Sequence, residues 1–214
     1  VEHAEGDFAV FVGHLDNESQ PFECWVNGTH PRGLGAVAKT LSLDMRGQDK
    51  TWLTMKLDSL ARTFGDHSYS VELSDENIHA SSASAIVAKV LRHRIAQMPA
   101  AETDSNEPTP MLDAMFARKE PKSGTDGTIS WSVDINNPQT GDDFVLFVKE
   151  LILPNGTRRP YSMWMAGTYP RELDGLCKML SHDMRVIDPA WIGLKMRKLI
   201  NYSEPQGDFF ERVP

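Results

Sequence analysis

Leu41-Ser42-Leu43-Asp44-Met45-Arg46 is answered later in the chain by Leu180-Ser181-His182-Asp183-Met184-Arg185, and the match extends in both directions. It stays in register without a gap from Trp25 to Leu60 and from Trp164 to Leu199. Leu34, Val37, Ala38, Leu41 and Met45 recur at helical spacing, as do Leu173, Leu176, Cys177, Leu180 and Met184. Each sextet therefore ends a helix that carries one apolar stripe. Just downstream, Asp49 and Asp188 stand where an acidic side chain accepts from the free N–H groups of a second helix, and Pro189 takes the first helical position in the later copy. The stripe of this second helix is Leu53, Leu57, Leu60 and Phe64, answered by Ile192, Met196 and Leu199.

Upstream, Gly28-Thr29-His30-Pro31-Arg32 pairs with Gly167-Thr168-Tyr169-Pro170-Arg171. Pro31 and Pro170 are expected to open the first helix, because a missing N–H costs nothing in a first turn. Before them, Pro21 to Val26 and Pro160 to Met165 read as strands. Each is predicted to form a hairpin with an earlier run, Asp7 to Val12 or Asp143 to Val148, across Asp16-Asn17-Glu18-Ser19 or Pro154-Asn155-Gly156-Thr157. The repeating unit is β-β-α-α. The class is α+β, a tandem duplication with helices packed on small antiparallel sheets.

The expected division places a first repeat at residues 1–96, completed by a further helix over Ser81 to Ile95. Residues 97–142 form an acidic and polar connector with a short helix near Met111 to Arg118 and one strand marked by alternating Ile129, Trp131, Val133 and Ile135. Residues 143–214 are the second repeat, without a counterpart of the Ser81 to Ile95 helix. With Val1 at the start and Pro214 just after a helical region, the chain reads as a fragment of something longer.

Composition narrows the function classes. No apolar run approaches the roughly 18 to 20 residues of a membrane helix, and no signal-peptide pattern opens the chain, so a cytoplasmic protein without a membrane partner is expected. The formal charge of −8 falls almost wholly within residues 1–140, and no Lys/Arg stripe offers a nucleic-acid surface. Cys24 and Cys177 sit singly in different repeats, at apolar positions, and read as core thiols. The seven histidines show no metal-site spacing, so no metal is expected. No nucleophile elbow, phosphate loop or dinucleotide fingerprint occurs, and no catalytic residue is assigned.

The polar residues held in both copies are the informative ones: Arg32/Arg171, Lys39/Lys178, Asp44/Asp183, Arg46/Arg185 and Lys56/Lys195. Asp44 and Arg46 lie two apart on a helix and cannot pair with each other. The favoured reading is that these residues bond helix ends or cross the contact between the units, with Asp44 facing basic residues of the second unit and Asp183 those of the first. Trp25, Arg32, Asp44, Arg46, Trp164, Arg171, Asp183 and Arg185 are the candidate interaction residues. One alternative is a small-ligand or nucleotide pocket between the copies, lined by Trp25, Trp164, Arg32 and Arg171. Another is a free-standing protein-interaction module.

The hairpin with Pro21-Phe22-Glu23-Cys24-Trp25-Val26, the helix ending Leu41 to Arg46 and the helix over Asp49 to Leu60 together resemble the TSCPD domain. Pro160 to Met165 and Leu180 to Leu199 are similar to it again. That domain occurs at the C-terminus of adenosylcobalamin-dependent (class II) ribonucleotide reductases, or as a separate small subunit of them. The resemblance implies a non-catalytic accessory region of a ribonucleoside-diphosphate reductase, serving deoxyribonucleotide synthesis for DNA replication. Its partner would be the catalytic part, in the same chain or beside it, which would hold the adenosylcobalamin; the repeats would pack on each other or form a homodimer. The naming Thr-Ser-Cys-Pro-Asp string is absent: neither Asp66 to Ser70 nor Asn201 to Pro205 contains a cysteine. No metal site is carried over.

Overall fold

A computed structural model describes residues 1–15, 21–98, 110–122 and 129–202. The turn expected at Asp16-Asn17-Glu18-Ser19 and much of the connector lie outside the described residues. The first unit runs β1 (Glu2–His3), β2 (Gly6–Gly13), β3 (Glu23–Gly28), α1 (Leu34–Arg46), α2 (Lys50–Leu60), β4 (Tyr69–Glu72), β5 (Asn77–Ala80) and α3 (Ala83–Gln97). The connector contributes α4 (Pro110–Asp113) and β6 (Ile129–Asn137). The second unit is β7 (Asp142–Ile152), β8 (Arg158–Thr168), α5 (Glu172–Met184) and α6 (Pro189–Ile200). All strand pairs are antiparallel, in one sheet ordered β3-β2-β1-β4-β5 and another ordered β6-β7-β8. The fold is α+β.

The two hairpins repeat in register as well as in sequence. Phe11 lies opposite Trp25 and Phe8 opposite Gly28, while Phe147 lies opposite Trp164 and Phe144 opposite Gly167. The glycines are demanded by the geometry. Gly28 has φ +114° and Gly167 φ +128°, and a Cβ there would sit 2.9 Å from the Asp7 carbonyl oxygen and 2.5 Å from that of Asp143. The chain crosses so closely over the start of the preceding strand that any side chain there would force the two backbones apart.

Helix starts follow the sequence with one correction. Asp49 caps α2 by accepting from the N–H of Trp52 at 2.8 Å, and Asp188 caps α6 by accepting from Ala190 at 2.9 Å. Pro31 and Pro170, expected as first helical residues, sit instead in a turn before the helix, their carbonyls accepting from Leu34 and Leu173. In the first copy Gly33 follows at φ +94°, and a Cβ there would meet Leu173 of the other unit at 3.1 Å. Close approach of the two first helices thus sets where α1 begins. The short connector helix is confined to Pro110–Asp113, less than the span expected to Arg118.

The units do not keep separate cores. Leu34, Leu41 and Met45 of α1, Leu57 and Leu60 of α2, Ile86 and Leu91 of α3, Leu173 and Leu180 of α5 and Leu199 of α6 belong to one buried cluster. At about 1.5–3 kcal/mol per buried aliphatic side chain, this shared interior is the main term holding the units together. A smaller cluster of Trp52, Met115 and Val186 lies beneath the connector. The connector is fastened there by Phe116 N–H donating to the Arg185 carbonyl at 2.9 Å and Met111 N–H donating to the Asp49 carboxylate at 3.1 Å.

Candidate functional site

Where α1, α2, α5 and α6 meet, four ionisable side chains converge: Asp44, Lys56, Asp183 and Lys195, all at 0% exposure. The placement follows from the helix stripes. Asp44 precedes Met45 at the end of α1, and Lys56 lies between Leu53 and Leu57 on α2, so the stripes that form the core carry these groups into it. The second unit repeats the arrangement. Lys56 Nζ donates to Asp183 Oδ1 at 2.6 Å and to both Asp44 oxygens at 3.0 and 3.1 Å. Lys195 Nζ donates to Asp44 Oδ1 at 2.6 Å and to the Thr40 carbonyl at 3.1 Å, and lies 3.7 Å from Asp183 Oδ2. Each carboxylate thus meets the lysine of the other unit, as the repeated residues lead one to expect.

Two indoles complete the centre. Trp52 Nε1 donates to Asp44 at 2.8 Å and Trp191 Nε1 to Asp183 at 2.6 Å. The rings meet edge to face at 6.5 Å, and Lys56 and Lys195 lie over the rings of Trp52 and Trp191 at 4.7 and 5.1 Å. The repeated tryptophans were visible in the sequence, but reading the second helix by its leucine spacing passes over them.

With two carboxylates and two ammonium groups, the centre is formally neutral, but its halves differ. Burial alone would raise Asp44; the attraction of Lys195 and Lys56, with the bonds from Lys195 and Trp52, outweighs it and holds the carboxyl below its ordinary range. Burial would likewise lower Lys56, yet Asp183 and Asp44 raise it. Asp183 Oδ2 has no hydrogen bond among the described residues, and burial pushes this carboxyl up and Lys195 down. The Asp183–Lys195 diagonal is the looser one. Sealed from water on every side, the centre offers no path for a substrate; what it does chemically is tie four helices.

Arg32 crosses to the second unit and grips Asp142 with two bonds of 2.6 and 2.5 Å, while Arg171 crosses to the first, 3.7 Å from Asp66. Arg46 pairs with Glu23 at 3.0 Å, whereas buried Arg185 donates to the Tyr161 carbonyl at 3.0 Å. Trp25 stacks on Phe11 at 5.2 Å and Trp164 on Phe147 at 5.0 Å. The pocket expected between Trp25, Trp164, Arg32 and Arg171 is not formed: Trp25 and Trp164 line two different clefts, and the two arginines line neither.

Neither the cysteines nor the Ser59–His182 pair forms an activated nucleophile. Burial pushes the thiols of Cys24 and Cys177 up to about 12, so neither forms thiolate near neutral pH. Ser59 Oγ lies 2.9 Å from His182 Nε2, the spacing of a nucleophile and its base. However, His182 Nδ1 has no orienting partner among the described residues, and burial with Arg185 and Lys56 nearby lowers the imidazole to about 4. It is a poor base. Ser42 and Ser181, by contrast, have a clear structural role. They accept from the N–H of Cys24 and Met163, both at 3.0 Å, binding each first helix to its hairpin's edge strand.

Among the described residues no group of three or more His, Cys, Asp or Glu could hold a metal ion, and no helix is long and apolar enough to cross a membrane. No protein-family model, curated protein or solved structure matches the chain.

Proposed function

We propose that this chain is a non-catalytic accessory region of an adenosylcobalamin-dependent ribonucleoside-diphosphate reductase, cytoplasmic, acting on assembly or regulation of the catalytic part. The observation that carries the non-catalytic half is the use of the repeated charges. Asp44, Lys56, Asp183 and Lys195 are consumed in a sealed inter-unit lock, and Arg32 and Arg171 cross the same contact. The specific assignment is supported by the repeated TSCPD-like order of hairpin, Leu-Ser-x-Asp-Met-Arg helix end and Asp-capped second helix.

Adenosylcobalamin is not placed here. The TSCPD-like resemblance puts the cofactor in the catalytic part, and the four packed side chains of the repeated polar centre, at 0% exposure, are in keeping with that reading.

The test is to mix the chain with the catalytic part of such a reductase, supplied with adenosylcobalamin. Association in sedimentation together with changed ribonucleoside-diphosphate reduction is expected. No association and no change in rate would remove the reading and leave an independent protein-interaction module.

A further inference from the structure

The units repeat a surface as well as a core. In each, the edge strand of the hairpin and the first helix bound a cleft lined by matching positions, among them Trp25, Lys39, Ser42 and Arg46 in one and Trp164, Lys178, Ser181 and Arg185 in the other. Each cleft is closed by the other unit's second helix end, with Tyr202 beyond α6 at the first and Ser59 and Arg62 around the end of α2 at the second. Their volumes are about 380 and about 620 Å³.

Their charges have diverged. In the first cleft Glu23 stands in the wall and takes up Arg46 at 3.0 Å. In the second, Ser162 occupies the position of Glu23, and Arg62, Arg118, Lys119 and Lys149 join Lys178 and Arg185 in the lining. Glu120 is the one carboxylate there, held by Lys149 at 3.0 Å. On a chain of formal charge −8, such a concentration of cations is a local feature rather than a background. Lys178 Nζ donates to the Arg62 carbonyl at 3.3 Å and has no carboxylate partner among the described residues. Arg62 and Lys119 are exposed, and neither has a carboxylate partner among the described residues.

We propose that the second cleft binds a small oligophosphate anion, with Lys178, Arg62 and Lys119 as its cationic contacts, and that Glu23 closes the first cleft to the same ligand. The volume falls within the range of small-molecule sites. Lysine point charges beside an arginine fork suit phosphate oxygens, and several cations spread along one cleft suit linked phosphates better than a single one. This inference is independent of the reductase reading; a failure of either leaves the other standing.

The probe is inorganic tripolyphosphate, titrated calorimetrically into the whole chain at low ionic strength. One site is expected, with affinity falling steeply as salt rises. Lys178→Gln and Arg62→Gln, both at exposed positions, should each weaken it at least tenfold, and Lys39→Gln, the matching change in the first cleft, should leave it unaltered. Ser162→Glu, which installs the first cleft's carboxylate, should also weaken binding at least tenfold, with the thermal midpoint showing that the variant is folded. Absence of binding by the parent chain would overturn the proposal. So would equal losses from Lys39→Gln and Lys178→Gln, because these would mark non-specific attraction.

Discussion

Lys56 of the first unit donates to Asp183 of the second at 2.6 Å, with both side chains wholly out of water. Removing one partner leaves the other charge stranded, at a cost of about 3–5 kcal/mol. Lys56→Met should therefore lower the unfolding free energy in urea by that amount. The exposed pair Arg46–Glu23 makes the control, and Arg46→Met should change stability by less than about 1 kcal/mol.

The indoles separate in the same way. Trp52→Phe keeps most of the ring but removes the donor to buried Asp44, costing about 1–3 kcal/mol for the lost bond and unmet acceptor. Trp25→Phe, at a position 46% exposed with no such bond, should be nearly neutral. Denaturation curves of the two variants decide this.

Stability near neutral pH should be governed in part by a buried carboxyl and a half-buried imidazole of opposite sign. Glu172 is 6% exposed, and burial first, then Asp66, raises its carboxyl to about 7 against the pull of its own backbone N–H. A raised acid keeps its proton in the folded chain where the unfolded chain has lost it. Its contribution is full below about 4.5 and is lost as pH rises through about 7. His182, lowered to about 4, works the other way: its contribution is full above about 6.5 and is lost as pH falls toward 4. Glu172→Gln should gain about 1–3 kcal/mol over the parent at pH 8, and the gain should vanish below pH 4.5. Urea unfolding at the two pH values provides the check.

Gly167→Ala should destabilise more than Gly28→Ala. Both adopt a positive φ, but the added Cβ meets a carbonyl oxygen at 2.5 Å in the first case and 2.9 Å in the second. Losses of about 1–3 kcal/mol from the backbone conformation alone are expected at each site, with the tighter contact adding to the Gly167 value in thermal unfolding.

Much of this architecture is legible from local signals. The hairpins, both pairs of helices and the Asp49 and Asp188 caps are written in alternation, helical spacing and capping chemistry that act within a few residues. The strands β1, β4 and β5 are not legible. They span two to four residues, too few for the alternation of Tyr69-Ser70-Val71-Glu72 and Asn77-Ile78-His79-Ala80 to stand out, and their pairing depends on the start of the chain meeting residues near Ser70. The crossing of Asp44 and Asp183 could be anticipated because both carboxylates recur at helix ends. The burial of Lys56 and Lys195 could not, since lysine lies wholly inside only when a partner is supplied by a distant segment. The cationic cleft is hidden for the same reason: it gathers side chains from α2, the connector, β7, β8 and α5, which have no common period in the sequence.

A double-mutant cycle on Lys56 and Asp183, using Lys56→Met, Asp183→Asn and the pair together in urea unfolding, tests the inter-unit lock most directly. A coupling energy of at least about 1.5 kcal/mol is predicted for two groups bonded across the unit boundary. Additivity of the single effects within about 0.5 kcal/mol would show that the two residues do not act on each other, and would contradict the account.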